Sequence, residues 1–342
     1  MRTVSAIKNI NSTLIVYGFN MVLQFIIRFV LLYYLSIEYL GLNGLFDNIL
    51  TVLSLTELGI GPAIIFSLYS PLANHDLETA KSIMRIFKKA YIYIGTLILF
   101  LGLCISPFVQ HLIKVPPNIA YLNIFFLLFV VDTGISYFYS YKKCLLIADQ
   151  KQYIANYYRG ITQLIGSLFQ IALVILTHSF WVYIILRICM TFSENFLIAR
   201  KADHLYSFLN EKNIQPLNKD IYQSIIRNIK ALILHKIGGV TVFGTSNIIL
   251  SKFVGLSAVA LYTNYYLIIN GIDKLSDQVF NALKASVGNL NESHDDAHKL
   301  VIFKRLEFMT AYLACFICSN LYLLLNPFIT IWLGSSYRFD ES

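Results

Sequence analysis

The sequence predicts an all-α, polytopic integral membrane fold. Three observations carry this: 57% of the 342 residues are hydrophobic and 13% charged, the apolar residues gather into runs long enough to cross a bilayer, and the basic residues fall in alternate connections. Soluble domains carry about 25% charged residues. The mean hydropathy of +0.63 agrees, as does an aromatic content of 15% weighted to Tyr and Phe. A net charge of +8 is spread in small groups rather than one patch, which excludes a nucleic-acid partner. Five cysteines, Cys104, Cys144, Cys189, Cys315 and Cys318, are odd in number and scattered, against a disulfide framework. The sequence carries no phosphate-binding, zinc-protease, hydrolase or kinase motif, so neither an enzyme nor a cofactor is expected.

A hydrocarbon core of about 30 Å takes roughly 20 helical residues, and nine runs meet that length. The first, 13–35, follows Arg2 and Lys8 with no small-residue cleavage site, and so reads as a retained anchor. In the second, 43–69, Gly59-Ile60-Gly61-Pro62 interrupts the helix and predicts a bend, with or without motion. The third, 90–113, is entered through Lys88-Lys89 and ends at Pro107. The fourth, 119–140, carries Asp132, and 158–178 and 180–199 supply the fifth and sixth. A polar stretch follows, and then come 231–252, 257–280 and 306–333. Of 27 Lys and Arg, 20 fall on the side of the N-terminus, three (Lys114, Lys252, Arg338) on the other, and four (Arg28, Arg187, Lys236, Lys274) inside spans. This asymmetry places the N-terminus in the cytoplasm.

An internal repeat sets the domain organisation. Ile86-Phe87-Lys88-Lys89 and Pro107-Phe108 return as Ile302-Phe303-Lys304-Arg305 and Pro327-Phe328, and Leu35–Phe46 aligns with Val254–Tyr265 at an offset of 219. Two parallel lobes are expected: six spans in 1–200, a cytoplasmic linker at 201–230, and about three spans in 231–342. Unless the repeat is accidental, about three helices of the second lobe are absent, and the chain is a fragment or truncation product.

Polar residues inside spans are costly and mark function. Asn20, Gln24 and Arg28 recur at helical spacing with Tyr17 on span one. Arg28 either lines a wet cavity or pairs with an acid of span two, where Asn43, Asp47 and Thr51 form a matching stripe near Glu57. Arg187, Thr191 and Glu194 share a face of span six, and Lys236 and Asn247 a face of span seven. These make Arg28, Arg187, Asn20, Gln24, Lys236 and Asn247 the candidate cavity lining. Asp132, Glu194, Asp47 and Glu57 are candidates for ion coupling, while Asp132 equally fits a packing hydrogen bond to a neighbouring hydroxyl. Asp273, Lys274 and Asp277 cluster near the inner end of span eight. His294 and His298 at i, i+4, and the Cys315–Cys318 pair, lack the other ligands of a metal site.

The stretch EYLGLNGLFDNILTVLSLTELGIGPAIIFSLYSPLA at 38–73, with Asp149-Gln150-Lys151, Asn247 and Trp332-Leu333-Gly334-Ser335, resembles Wzx-like polysaccharide repeat-unit transporters of the multidrug/oligosaccharidyl-lipid/polysaccharide flippase superfamily. The resemblance implies a two-lobed flippase in the bacterial cell membrane. It would move undecaprenyl-diphosphate-linked oligosaccharides to the outer leaflet for capsule or exopolysaccharide assembly, beside membrane lipids, a polysaccharide polymerase and glycosyltransferases. In that reading Arg28 and Arg187 meet the anionic headgroup. A cation-coupled drug exporter of the same superfamily and a transport-inactive truncated protein are the alternatives.

Overall fold

The computed structural model describes residues 2–57, 59–115, 119–211, 216–293 and 296–339, with side chains described except at 2–7, 10, 210, 234–236, 242–243 and 278–299. Eleven α-helices follow one another among the described residues: α1 (Arg2–Tyr34), α2 (Ile37–Leu53), α3 (Ile60–Ala73), α4 (Leu77–Ile105), α5 (Leu122–Ala148), α6 (Gln152–Thr177), α7 (Phe180–Leu205), α8 (Lys219–Phe243), α9 (Ser246–Phe253), α10 (Leu256–Ser293) and α11 (Asp296–Leu333). Short 3-10 turns extend several of these ends, and no strand occurs among the described residues.

Among the described residues, seven stretches are long and apolar enough to cross a membrane, and an eighth is the bent pair α2–α3, broken by 44°. Nine were expected. The missing one is α10, which forms a helix of 38 residues but interleaves Thr263, Asn264, Asn270 and Asp273 with its apolar residues and falls short of a membrane-spanning composition. The bend in span two sits where Gly59 takes φ 75°, a left-handed conformation that glycine adopts without a Cβ penalty. There the Glu57 carboxylate accepts from the Tyr91 hydroxyl at 3.0 Å and from Tyr137 at 3.4 Å. Span seven is also interrupted, between α8 and α9 at Gly244–Thr245.

The chain divides into two compact units, Met1–Ala260 and Leu261–Ser342. The division falls beyond the polar stretch 201–230, because α8 starts inside that stretch and packs with α3 and α2. In the first unit, α1 packs on α6, α6 on α7, α7 on α5, α5 on α2 and α2 on α1, closing a ring of five helices. Asn156 seals the α1–α6 contact by donating to Ser12 and Thr13 hydroxyls at 3.0 and 2.9 Å. Phe46 of α2 meets Phe126 and Phe129 of α5 edge to face, with centroids 5.4 and 5.3 Å apart. A second apolar cluster, around Ile64, Leu68, Phe87 and Leu145, holds α3, α4 and α5 together. In the second unit, the Tyr265 hydroxyl of α10 donates to Asn326 of α11.

The 219-residue offset reappears in the helix ends. α1 ends at Tyr34 and α9 at Phe253, and α2 starts at Ile37 and α10 at Leu256. Two boundaries thus recur at the offset read from the sequence.

Gly41 of α2 faces the start of α10, where a Cβ would run into the backbone carbonyl of Leu256. Small residues allow such close helix approach in membranes. Gly41→Val is expected to cost about 1–3 kcal/mol through overpacking, read as a lower melting midpoint of the detergent-solubilised protein. Gly18→Val, at a position with no heavy atom within 4 Å, should leave the midpoint unchanged.

Candidate functional site

The five-helix ring encloses a polar cavity of about 300 Å³. α1 contributes Gln24, Ile27 and Arg28 to its wall, α2 Asn43 and Asp47, and α5 Asp132. α6 supplies Gln163, Ser167 and Gln170, one face of a helix by their spacing. α7 completes it with Tyr183, Arg187, Met190 and Thr191. Only Ile27 and Met190 of these are apolar. Along each helix the charged residues lie roughly six to ten residues, about 9–15 Å, from the end nearest the α1–α2 turn. The cavity therefore sits nearer one end of these helices than their middle.

Arg187 organises the chamber. Its Nε donates to Asp132 Oδ2 at 2.9 Å, Nη1 to Asn43 Oδ1 at 3.1 Å and Nη2 to Asp47 Oδ1 at 2.8 Å. The guanidinium also lies 4.4 Å from the centroid of the Phe129 ring. One planar cation thus joins α7 to α2 and α5, a geometry that an ammonium cannot reproduce. Asp132 is the more enclosed acid, with 8% side-chain exposure against 40% for Asp47. Around the clamp, Gln170 donates to the Tyr183 carbonyl at 2.9 Å and the Tyr183 hydroxyl donates to Asn43 at 3.4 Å.

The structure brings together Arg28, Gln24, Arg187, Asp47 and Asp132 and sets Asn20, Asn247, Glu57 and Glu194 apart. The Asp47 stripe expected to pair with Arg28 is bonded to Arg187, so for Arg187 cavity lining and ion pairing both hold. Asp132, expected to stand alone or to bond a hydroxyl, is instead half of an ion pair. Asn20 is half-buried on α1 and outside the wall. Asn247 is buried, donating to the Gly44 carbonyl at 3.0 Å and accepting nothing from the chamber, so it ties α9 to α2 rather than lining the cavity. Glu57 belongs to the bend, and Glu194 lies behind the wall, accepting from Gln163 at 3.4 Å with Lys143 3.8 Å away. The side chain of Lys236 lies outside the described residues, as do those of His294 and His298. Cys315 and Cys318 are free and exposed, and no group of potential metal ligands occurs among the described residues. Gln163, Ser167, Gln170 and Tyr183 were not expected at the site. The polar spacing on span five is the signal that could have found the first three.

No protein-family model and no curated protein matches the chain. Among solved structures, one described as the inward-facing conformation of a multidrug resistance MATE family transporter of the MOP superfamily is similar with a TM-score of 0.69. The likeness covers 93% of this chain and 73% of that one at 13% sequence identity. The fold is similar to that of this transporter. With its apolar helices, this makes the chain a multi-pass membrane protein.

Breaking the clamp from one side strands buried charge. Arg187→Leu is expected to destabilise the protein by about 3 kcal/mol, and Arg187→Lys should recover less than half of that loss because it cannot reach all three acceptors. Adding Asp47→Asn and Asp132→Asn to Arg187→Leu should restore much of the stability in thermal melts. A triple variant no more stable than Arg187→Leu would mean that the acids are not what the guanidinium neutralises.

Proposed function

We propose that the protein is a membrane transporter that moves undecaprenyl-diphosphate-linked oligosaccharide repeat units from the inner to the outer leaflet of the bacterial cell membrane, for capsular or exopolysaccharide assembly. One observation carries this reading: the chamber wall is made almost wholly of amide, hydroxyl and charge-compensated groups. Such a wall replaces the water hydrogen bonds that a glycan headgroup loses on entering the bilayer. A lipophilic drug is better served by an apolar or aromatic wall. The polyprenyl tail would remain in lipid. Lys and Arg placement supports an N-terminus in the cytoplasm, an orientation that would set the chamber in the outer half of the membrane.

A cation-coupled drug exporter is the second reading. It is favoured by two carboxylates, Asp47 and Asp132, in the same chamber and by the multidrug resistance transporter among the similar structures. In the flippase reading the partners are the lipid-linked oligosaccharide, membrane lipids, and the glycosyltransferases and polymerase that make and consume the repeat unit. It involves no enzymatic step and no cofactor.

Proteoliposomes holding the purified protein and a fluorescent undecaprenyl-diphosphate disaccharide decide between these readings. Leaflet exchange should exceed that of protein-free vesicles at least about tenfold, and Arg28→Ala should lower it by about tenfold, or 1.4 kcal/mol. Ethidium extrusion from the same vesicles, with no glycolipid movement, would establish the exporter instead.

A further inference from the structure

The polar faces that line the chamber do not end with it. On α6, Arg159 precedes Gln163 and Ser167 by four and eight residues, so it shares their face one turn beyond the wall. On α5, Lys143 follows Asp132 by eleven residues, about three turns, and on α7 Glu194 follows Arg187 by seven, about two turns. All three continuations run toward the helix ends opposite the α1–α2 turn. They meet there. Lys143 Nζ lies 3.8 Å from Glu194 Oε1, Gln163 donates to Glu194 Oε2 at 3.4 Å, and Arg159 is near enough to Lys143 to repel it. Gln163 belongs to this cluster and to the chamber wall alike.

Two cations thus face one acid, and neither is firmly held. Among the described residues, the other lysines in ion pairs sit 2.6–2.7 Å from their acids: Lys81 on Glu78 and Glu211, Lys142 on Asp203, and Lys151 on Asp149. Lys143 is beyond hydrogen-bonding distance of Glu194 and 33% exposed, while Arg159 is exposed and makes no ion pair among the described residues. An excess of cation with uncommitted N–H donors suits a phosphate group, which a lysine meets as a point charge and an arginine as a bidentate fork. A metal ion or an organic cation would be repelled by both.

We infer that Lys143 and Arg159 form an anion site for the phosphate groups of a lipid headgroup, at the end of the ring opposite the α1–α2 turn, with Glu194 as the acid that the phosphate displaces from Lys143. In the flippase reading, on which this choice of ligand rests, the phosphates are those of the diphosphate, and the polar faces of α5, α6 and α7 lead from them to the chamber.

The test measures binding of undecaprenyl diphosphate, without sugar, to the full chain in phosphatidylcholine nanodiscs. Arg159→Gln and Lys143→Gln should each weaken it about tenfold, or 1.4 kcal/mol, and Lys143→Arg should keep most of the affinity. Glu194→Gln should tighten binding at least about threefold by removing the competing acid, a gain that a merely structural ion pair does not produce. Lys88→Gln with Lys89→Gln, which removes two exposed cations of α4, should leave it unchanged. Phosphatidylglycerol in equal amount should displace little of the bound lipid; displacement of about half would make an ordinary phospholipid the occupant of the same phosphate site. Unchanged affinity in Arg159→Gln, whose exposed side chain the fold does not need, or weaker binding in Glu194→Gln, would overturn the inference. Glycolipid exchange in proteoliposomes by a chain that binds no diphosphate lipid in this way would overturn it alone, and absence of both binding and exchange would overturn the flippase reading as well.

Discussion

Much of the first unit depends on where one guanidinium sits. Arg187 enters a low-dielectric region where an uncompensated cation would cost several kcal/mol, and three helices supply what makes it tolerable: Asp132 from α5, with Asn43 and Asp47 from α2. These bonds fix the rotation of α2 and α5 about their own axes relative to α7. With that rotation set, the remaining polar faces of α1 and α6 turn inward and the ring closes around a polar space. Apolar packing alone would not select this arrangement, because lipid tails are as apolar as leucine.

The same constraint sets the chemistry of the chamber. A cation fully met by two acids contributes geometry more than field, so the cavity is a hydrogen-bonding container and not a strongly electropositive one. That shifts the weight of recognition from charge attraction to the match of donors and acceptors. The apolar clusters around Phe46 and Phe87 supply the packed shell that holds those groups in place.

Around this shell the broken elements mark where the chain departs from plain spanning helices. Span two bends at Gly59 with Glu57 held by two tyrosine hydroxyls, and span seven breaks before α9, where Asn247 bonds the Gly44 carbonyl. Both breaks place polar groups at buried helix contacts, where their hydrogen bonds satisfy what the interrupted backbone leaves exposed. The α1–α2 and α9–α10 turns lie 219 residues apart in the chain, at the offset read from the sequence.

Composition and run length determined the helical membrane fold, because a backbone in hydrocarbon must satisfy its own hydrogen bonds and only a long apolar helix does so within one segment. The sequence also marked Arg28, Arg187, Asp47 and Asp132 as significant, since each is too costly in lipid to be incidental. It could not assign partners. Asp132 looked solitary because its counter-ion is 55 positions away on another helix, and Asn247 looked like lining because a helix face seen in one dimension does not say whether it meets a cavity or a neighbour. Helix rotation and adjacency decided both, and these are set by the sum of many weak packing contacts between segments distant in the chain, a sum that only the folded molecule evaluates.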